Sequence, residues 1–158
     1  MRIFNLHCSV RLAKPLAEVF PFFADAYNLE TLTPPWLNFE VLTPRPIEMK
    51  PGTTIDYKLK MRGLPIRWTS EITAWEPPFR FIDEQRKGPY SLWVHEHRFR
   101  EVDGHTIADD HIRYAVPGGA LVHSLFVRRD VQGIFAFRKK RMQELFGSVP
   151  ELAATKAA

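Results

Sequence analysis

The stretch from Tyr90 to Pro117, YSLWVHEHRFREVDGHTIADDHIRYAVP, constrains this chain more than any other. Two alternating segments flank Asp103-Gly104. An Asp-Gly pair in that setting marks a two-residue hairpin turn, because both turn residues must take positive φ. With that turn, Val102 faces His105, Phe99 faces Ala108, His97 faces Asp110, His95 faces Ile112, and Trp93 faces Tyr114. Side chains alternate along a strand, so all of these share one face. That face is mostly large and aromatic, yet it carries two histidines and a carboxylate. An apolar surface with a few convergent polar groups suits a ligand cavity. A one-residue slip would turn the whole set to solvent, so the turn decides the reading.

A second hairpin supports the pattern. Ile55, Tyr57, Leu59 and Met61 alternate with Thr54, Asp56, Lys58 and Lys60. A tight turn at Arg62-Gly63 pairs Met61 with Leu64, Leu59 with Ile66, and Tyr57 with Trp68, and the apolar faces then agree. Upstream, residues 3–12 read as a strand with Phe4, Leu6, Cys8, Val10 and Leu12 inward. Pro15 suits a helix start, and Leu16, Val19, Phe20 and Phe23 follow helical spacing. Pro21 shortens or kinks that helix. A second short helix is expected over 28–32, ended by Thr33-Pro34-Pro35-Trp36. Residues 38–43 read as a strand, and residues 64–75 as the return arm of the second hairpin. Residues 79–86 form another strand, with either Phe79, Phe81, Asp83 and Gln85 or Ile82, Glu84 and Arg86 inward.

After Gly118-Gly119 a long helical pattern runs to Phe146, with Leu121, Leu125, Val127, Val131, Ile134, Phe135, Met142 and Leu145 on its apolar side. Gly133 is either a tolerated interruption or a point of close approach. Gly147 is a plausible stop. The order is strand, two short helices, six strands and one long helix. That order predicts an α+β fold: a curved antiparallel sheet of about seven strands wrapped around the long C-terminal helix.

At 158 residues the chain fits one domain, placed at 1–147, with 148–158 as a disordered tail. No apolar run approaches the roughly 20 residues that span a bilayer, so stable membrane insertion is not expected. The first residues alternate like a strand rather than a signal peptide, so a cytoplasmic location is expected. The single cysteine, Cys8, excludes an internal disulfide and reads as a core residue. Net charge is only +4, and its one concentration is Arg138-Lys139-Lys140-Arg141, with Arg128-Arg129 upstream. That cluster reads as the solvated face of the last helix. No nucleic-acid motif accompanies it, so no nucleic-acid partner is expected.

Local patterns carry a family resemblance over roughly residues 3–146. They are Pro15-x-x-Glu18-Val19-Phe20, Trp36, Gly88-Pro89-Tyr90-x-x-Trp93-x-His95-x-His97-x-Phe99, Thr106-x-x-x-Asp110-x-x-x-Tyr114-x-x-Pro117, and Ile134-Phe135-x-x-Arg138. Together with the element order they resemble the START-like, Bet v 1-like superfamily, also called SRPBCC or polyketide cyclase/lipid transport proteins. They look most like a bacterial subgroup of single-domain members. The resemblance implies a helix-grip fold, an apolar ligand cavity and no metal or other cofactor. It leaves activity open, since the superfamily includes carriers, receptors and cyclases.

The expected function is binding, as carrier or sensor, of a small hydrophobic or aromatic molecule between sheet and helix, by a monomer or homodimer. Tyr57, Trp68, Trp93 and Tyr114 would form the apolar wall; His95, His97 and Asp110 would make the polar contacts. The alternative is a cyclase- or dehydratase-like enzyme with His97 and Asp110 as an acid–base pair. A metal reading places His95, His97 and Asp110 around an ion, because residues two apart on one strand face lie ~6.7 Å apart. His7, His105 and His111 fall on outward positions or a turn.

Overall fold

The structure is a computed structural model that describes residues 1–150. Strand β1 (Phe4–Leu12) is followed by α1 (Leu16–Ala24), a 3-10 turn (Ala26–Asn28), α2 (Leu29–Leu32) and a second 3-10 turn (Pro35–Leu37). Six strands come next: β2 (Glu40–Val41), β3 (Thr54–Met61), β4 (Leu64–Glu76), β5 (Arg80–Lys87), β6 (Leu92–Val102) and β7 (His105–Ala115). The C-terminal helix comprises α3 (Gly119–Val122), a π-helical turn (His123–Val127) and α4 (Arg128–Phe146). All seven strands form one antiparallel sheet in the order β1-β7-β6-β5-β4-β3-β2. This is the expected α+β helix-grip architecture.

Both hairpin registers are as the alternation demands. Val102 pairs with His105, His97 with Asp110, His95 with Ile112, and Trp93 with Tyr114. Met61 pairs with Leu64, Leu59 with Ile66, and Tyr57 with Trp68. The turn residues Asp103 and Gly104 have φ of 52° and 77°, and Arg62 and Gly63 have 50° and 77°. Such pairs match the right-handed twist of the strands they join.

The inward face of β5, open from the sequence, carries Phe81 and Asp83. Phe81 pairs with His97 and Asp83 with His95 across β5–β6, while Phe79 stays exposed. Register shifts between Thr69 and Ser70 and between Ile72 and Ala74 separate β5 from the regular ladder of β3–β4. Strand 38–43 contracts to Glu40–Val41, because Pro44 and Pro46 follow at once.

Helix α1 keeps Pro21 and still buries Leu16, Val19, Phe20 and Phe23. Its first N–H has no local side-chain cap. Glu101, at the far end of β6, accepts from Leu16 N–H at 2.7 Å instead. The first core cluster joins these α1 residues to Val10, Leu12, Phe81, Phe99, Ala108 and Met142. A second joins Tyr90, Trp93, Ile112, Tyr114, Val131 and Phe135.

The long helix expected after Gly118-Gly119 is present, and three other expectations need correction. The C-terminal helix runs from Gly119 to Phe146 with a π turn at His123, whose side chain is buried, stacks on Phe4 and bonds the Tyr114 hydroxyl at 2.9 Å. Leu121 before His123, and Leu125 and Phe126 within the π turn, face solvent, and Leu145 near the other end is exposed too. Arg138 does not lie on a solvated face: it shares the buried stripe with Val131, Phe135 and Met142. Finally, Cys8, Phe4 and Leu6 are only half-buried, while Val10 and Leu12 further along the same strand are buried. Ser148 bridges to Leu12. Residues 151–158, the bulk of the expected tail, lie outside the described residues.

Candidate functional site

Between the concave sheet and α4 lies a cavity of about 180 Å³. Its apolar walls come from β3 and β4 (Ile55, Tyr57, Leu59, Trp68), from β6 (Trp93) and from α4 (Ile134, Phe135). Phe23, Leu29, Leu32 and Leu37 close the end formed by the short helices. One wall is polar. Asp83 from β5, His95 and His97 from β6, and Arg138 from α4 converge there.

Of the residues expected at a site, Tyr57, Trp68, Trp93, His95 and His97 line this cavity; Asp110 and Tyr114 do not. Tyr114 is turned toward His123. Asp110 sits behind the two histidines, 5% exposed, and organises them from there. Its Oδ1 accepts from His95 Nε2–H at 2.7 Å and lies 3.3 Å from His97 Nδ1. Its Oδ2 accepts from Arg138 Nε–H at 3.1 Å. His97 Nε2 reaches the other way, to Asp83 Oδ2 at 2.7 Å. The predicted His97–Asp110 contact thus exists but is the looser one. The short bonds run diagonally, His95 to Asp110 and His97 to Asp83, because twist carries the side chains off their direct cross-strand partners.

Burial and charge then separate the two imidazoles, whose rings stack 3.6 Å apart. Burial works hardest on His95, and the neighbouring His97 adds to it; its pKa falls to about 4. A neutral His95 that donates from Nε2 keeps a lone pair on Nδ1, whose nearest carboxylate oxygen, on Asp83, is 3.9 Å away. Burial also opposes charge on His97, but hydrogen bonds to Asp110 and Asp83 outweigh it and raise the pKa. Desolvation pushes Asp110 up, yet Arg138 and the histidines overcome it and hold the carboxyl well below the usual range. Asp83 is lowered as well: its bond to His97 and the nearby positive charges outweigh its burial. The charge of Arg138 and the raised basicity of His97 offset the carboxylates of Asp83 and Asp110, which is how buried charge is tolerated.

Tyr57 adds a further polar atom to the cavity. Burial, followed by the charge of Asp83, pushes its phenol far above the ordinary range, so it stays a neutral donor. Ser70, also on the lining, accepts from Trp68 Nε1–H at 3.0 Å and fixes that indole.

Asp83 and Arg138 were the residues missed. Asp83 was one of two faces left open for residues 79–86. Arg138 had a visible signal: it falls on the spacing Val131, Phe135, Arg138, Met142, where a lone charge on an apolar stripe points to a buried partner. The outlying histidines are elsewhere. His7 and His111 stack on the outer face, 3.9 Å apart, and His105 follows the hairpin turn. No described helix is long and apolar enough to cross a membrane.

Residues 12–136 match the sequence profile described as polyketide cyclase / dehydrase and lipid transport. No curated protein sequence matches the chain. Among solved structures it is similar to protein Ms6760 from Mycobacterium smegmatis, at 19% identity over 92% of this chain and 96% of that one, with TM-score 0.66. It is similar to the Zhui aromatase/cyclase from Streptomyces sp. R1128, at 16% identity over 94% and 100%, with TM-score 0.66. It is also similar to ginseng major latex-like protein 151 from Panax ginseng, at 12% identity over 91% and 97%, with TM-score 0.67. At these identities the structural likenesses establish the shared fold. The profile match spans most of the sequence, and the chain belongs to the polyketide cyclase / dehydrase and lipid transport family, within the START-like, Bet v 1-like superfamily.

Proposed function

We propose that this protein binds a small hydrophobic or aromatic molecule in the cavity between sheet and α4, oriented by the polar wall of Asp83, His95, His97 and Arg138. The observation that carries this reading is the lining itself: aromatic and aliphatic on most sides, with hydrogen-bonding groups gathered on one. An apolar cavity on the order of 150 Å³ is enough to hold benzene, so about 180 Å³ favours a molecule of one or two rings over a long acyl chain. Burial would supply affinity at roughly 25 cal/mol per Å², less the cost of ordering the ligand. Tyr57 Oη offers a donor, and His95 Nδ1 offers an acceptor.

Native mass spectrometry of freshly purified protein, joined to a thermal-shift screen of small aromatic alcohols, ketones and fatty acids, tests this. A co-purified organic mass, or a ring compound that raises Tm in proportion to the logarithm of its concentration, is the expected result. A bare protein that no compound in the screen stabilises would refute it.

A second reading, proton-transfer catalysis of a cyclase or dehydratase kind, is favoured by one specific feature. Asp110 fixes His95 in the tautomer that leaves Nδ1 as a base, while His97 beside it is made the more basic of the two by its carboxylate neighbours. Two groups with pKa values pushed in opposite directions form an acid–base pair. The family's description includes cyclases, and the Streptomyces relative is an aromatase/cyclase. In this reading His95→Gln and His97→Gln abolish turnover while ligand affinity changes little; equal loss of both would leave binding alone.

A further inference from the structure

We infer that Asp83, His95 and His97 form a binding site for one divalent transition-metal ion, opening onto the cavity. One atom of each lies within 4.8 Å of the others. His97 Nε2 and Asp83 Oδ2 are 2.7 Å apart, and His95 Nδ1 and Asp83 Oδ2 are 3.9 Å apart. Ligand atoms around a tetrahedral zinc ion, at its usual bond lengths, are roughly 3.3 Å apart. Of these two gaps one must therefore open and the other close, each by about 0.6 Å, and the two histidine nitrogens, up to 4.8 Å apart, must settle to the same spacing, all by side-chain rotation. Two imidazoles and a carboxylate suit zinc, cobalt(II) or iron(II), and three protein ligands leave positions for water or a cavity-bound molecule.

The surroundings are built as a second layer around such an ion. Metal-bound histidines donate their other N–H to an acceptor that fixes tautomer and ring orientation. Asp110 serves His95 in this way, with Oδ1 2.7 Å from Nε2, and the same oxygen lies 3.3 Å from His97 Nδ1, which Arg138 Nη2 also approaches at 3.3 Å. The atoms left facing Asp83 are His95 Nδ1 and His97 Nε2. Arg138 holds Asp110 at 3.1 Å and cancels its charge, so its own positive charge is spent on the second layer. Asp83 then offsets half of the dication, and a bound hydroxide would neutralise the rest. On binding, the ion displaces the Nε2 proton of His97, which leaves to solvent, and the His97–Asp83 hydrogen bond gives way to two metal–ligand bonds. The ion set read from sequence, His95, His97 and Asp110, shares its histidines with this one, and here Asp83 takes the place given to Asp110.

The inference shares the cavity of the proposed function but not its ligand, so the two are tested separately. Chelator-treated protein is titrated with Zn²⁺ and with Co²⁺, followed by calorimetry, by the visible absorption of bound Co²⁺ and by Tm. One equivalent of each is expected, with a Co²⁺ spectrum of nitrogen and oxygen ligation and a rise in Tm that needs no variant. Asp83→Asn and His97→Gln should lower Zn²⁺ affinity about 100-fold or more, and Asp110→Asn about 10- to 100-fold. His7→Ala, on the outer histidine pair, should change nothing. Absence of stoichiometric binding to the unaltered protein overturns the inference. So does a thiolate band assigning the ion to Cys8, or binding that survives Asp83→Asn but not His7→Ala. Organic ligand binding with no metal binding leaves the proposed function standing and removes this site.

Discussion

At the scale of single residues, Asp110 governs the polar wall. It is buried, bonded by Arg138 and His95, and close to His97. Removing one member of a buried ion pair leaves the other charged and unsolvated. Arg138→Met should therefore cost about 3–5 kcal/mol by urea unfolding, far beyond the loss of one exposed contact. A loss under 1 kcal/mol would mean that Asp110 is not held as an anion. The pH dependence of metal-free protein follows from the same cluster. His95 has a folded pKa of about 4 against an ordinary 6.5. Between these values the unfolded chain holds the proton and the folded chain does not, so stability rises with pH through that window. Asp110 and Asp83, both lowered, act in the same direction further down: their contribution is complete above the unfolded carboxylate pKa and fades as pH falls through the folded one. His97 is raised, so its contribution is full below 6.5 and is lost as pH climbs through its folded pKa. Stability measured by unfolding across pH should thus climb from 4 to 6.5 and then ease. His95→Gln should flatten the climb, and His97→Gln the later decline. A profile that is level from 4 to 6.5 in the unaltered protein would contradict the buried neutral His95.

At the scale of elements, Gly133 is informative. A β-carbon built there meets nothing within 4 Å, so the glycine is a tolerated interruption of α4 and not a point of close approach. Gly133→Ala should stabilise the protein by about 0.5–1 kcal/mol, because alanine gives up less backbone entropy in a helix. A destabilised variant would show that α4 needs to flex at this point. Gly104→Ala also meets open space, but its φ of 77° is costly for any side chain, and about 1–2 kcal/mol of destabilisation is expected. The contrast between these glycines explains what could be read from sequence. Hairpin turns declare themselves, since Asp103-Gly104 and Arg62-Gly63 need positive φ and alternation on both sides then sets every pair. The face of β5 does not, because it depends on register shifts at Ser70 and Ala74 that leave no compositional mark. Nor does the π turn, whose His123 packs against Tyr114 and Phe4 from two different strands. The diagonal bonding of the cluster was hidden for the same reason: register places backbones, and twist and side-chain length choose the partners.

At the scale of the molecule, the sheet, the short helices and α4 jointly define a space that no one element contains. Elements were readable from local pattern, but the volume between them depends on how far the sheet curves and how closely α4 approaches. That volume can be tested by filling it. Leu59 lies on β3 with its side chain in the lining, separated by β4 from β5 of the polar wall. In a packed core, a larger side chain typically costs about 1–3 kcal/mol through strain. Facing a space of about 180 Å³, the added indole of Leu59→Trp has room to enter. Its Tm should stay within a few degrees of the parent protein, roughly the shift of 1 kcal/mol in a domain of this size. A naphthol probe that binds the parent, followed through Trp68 and Trp93 fluorescence, should lose at least tenfold in affinity. The exposed apolar group of Leu121, Leu125 and Phe126 provides the counter-test. Leu125→Ser should leave probe affinity unchanged if the ligand sits between sheet and helix. If Leu125→Ser weakens the probe and Leu59→Trp does not, binding is on the outer surface, and the interior is a core that has room to spare but no occupant.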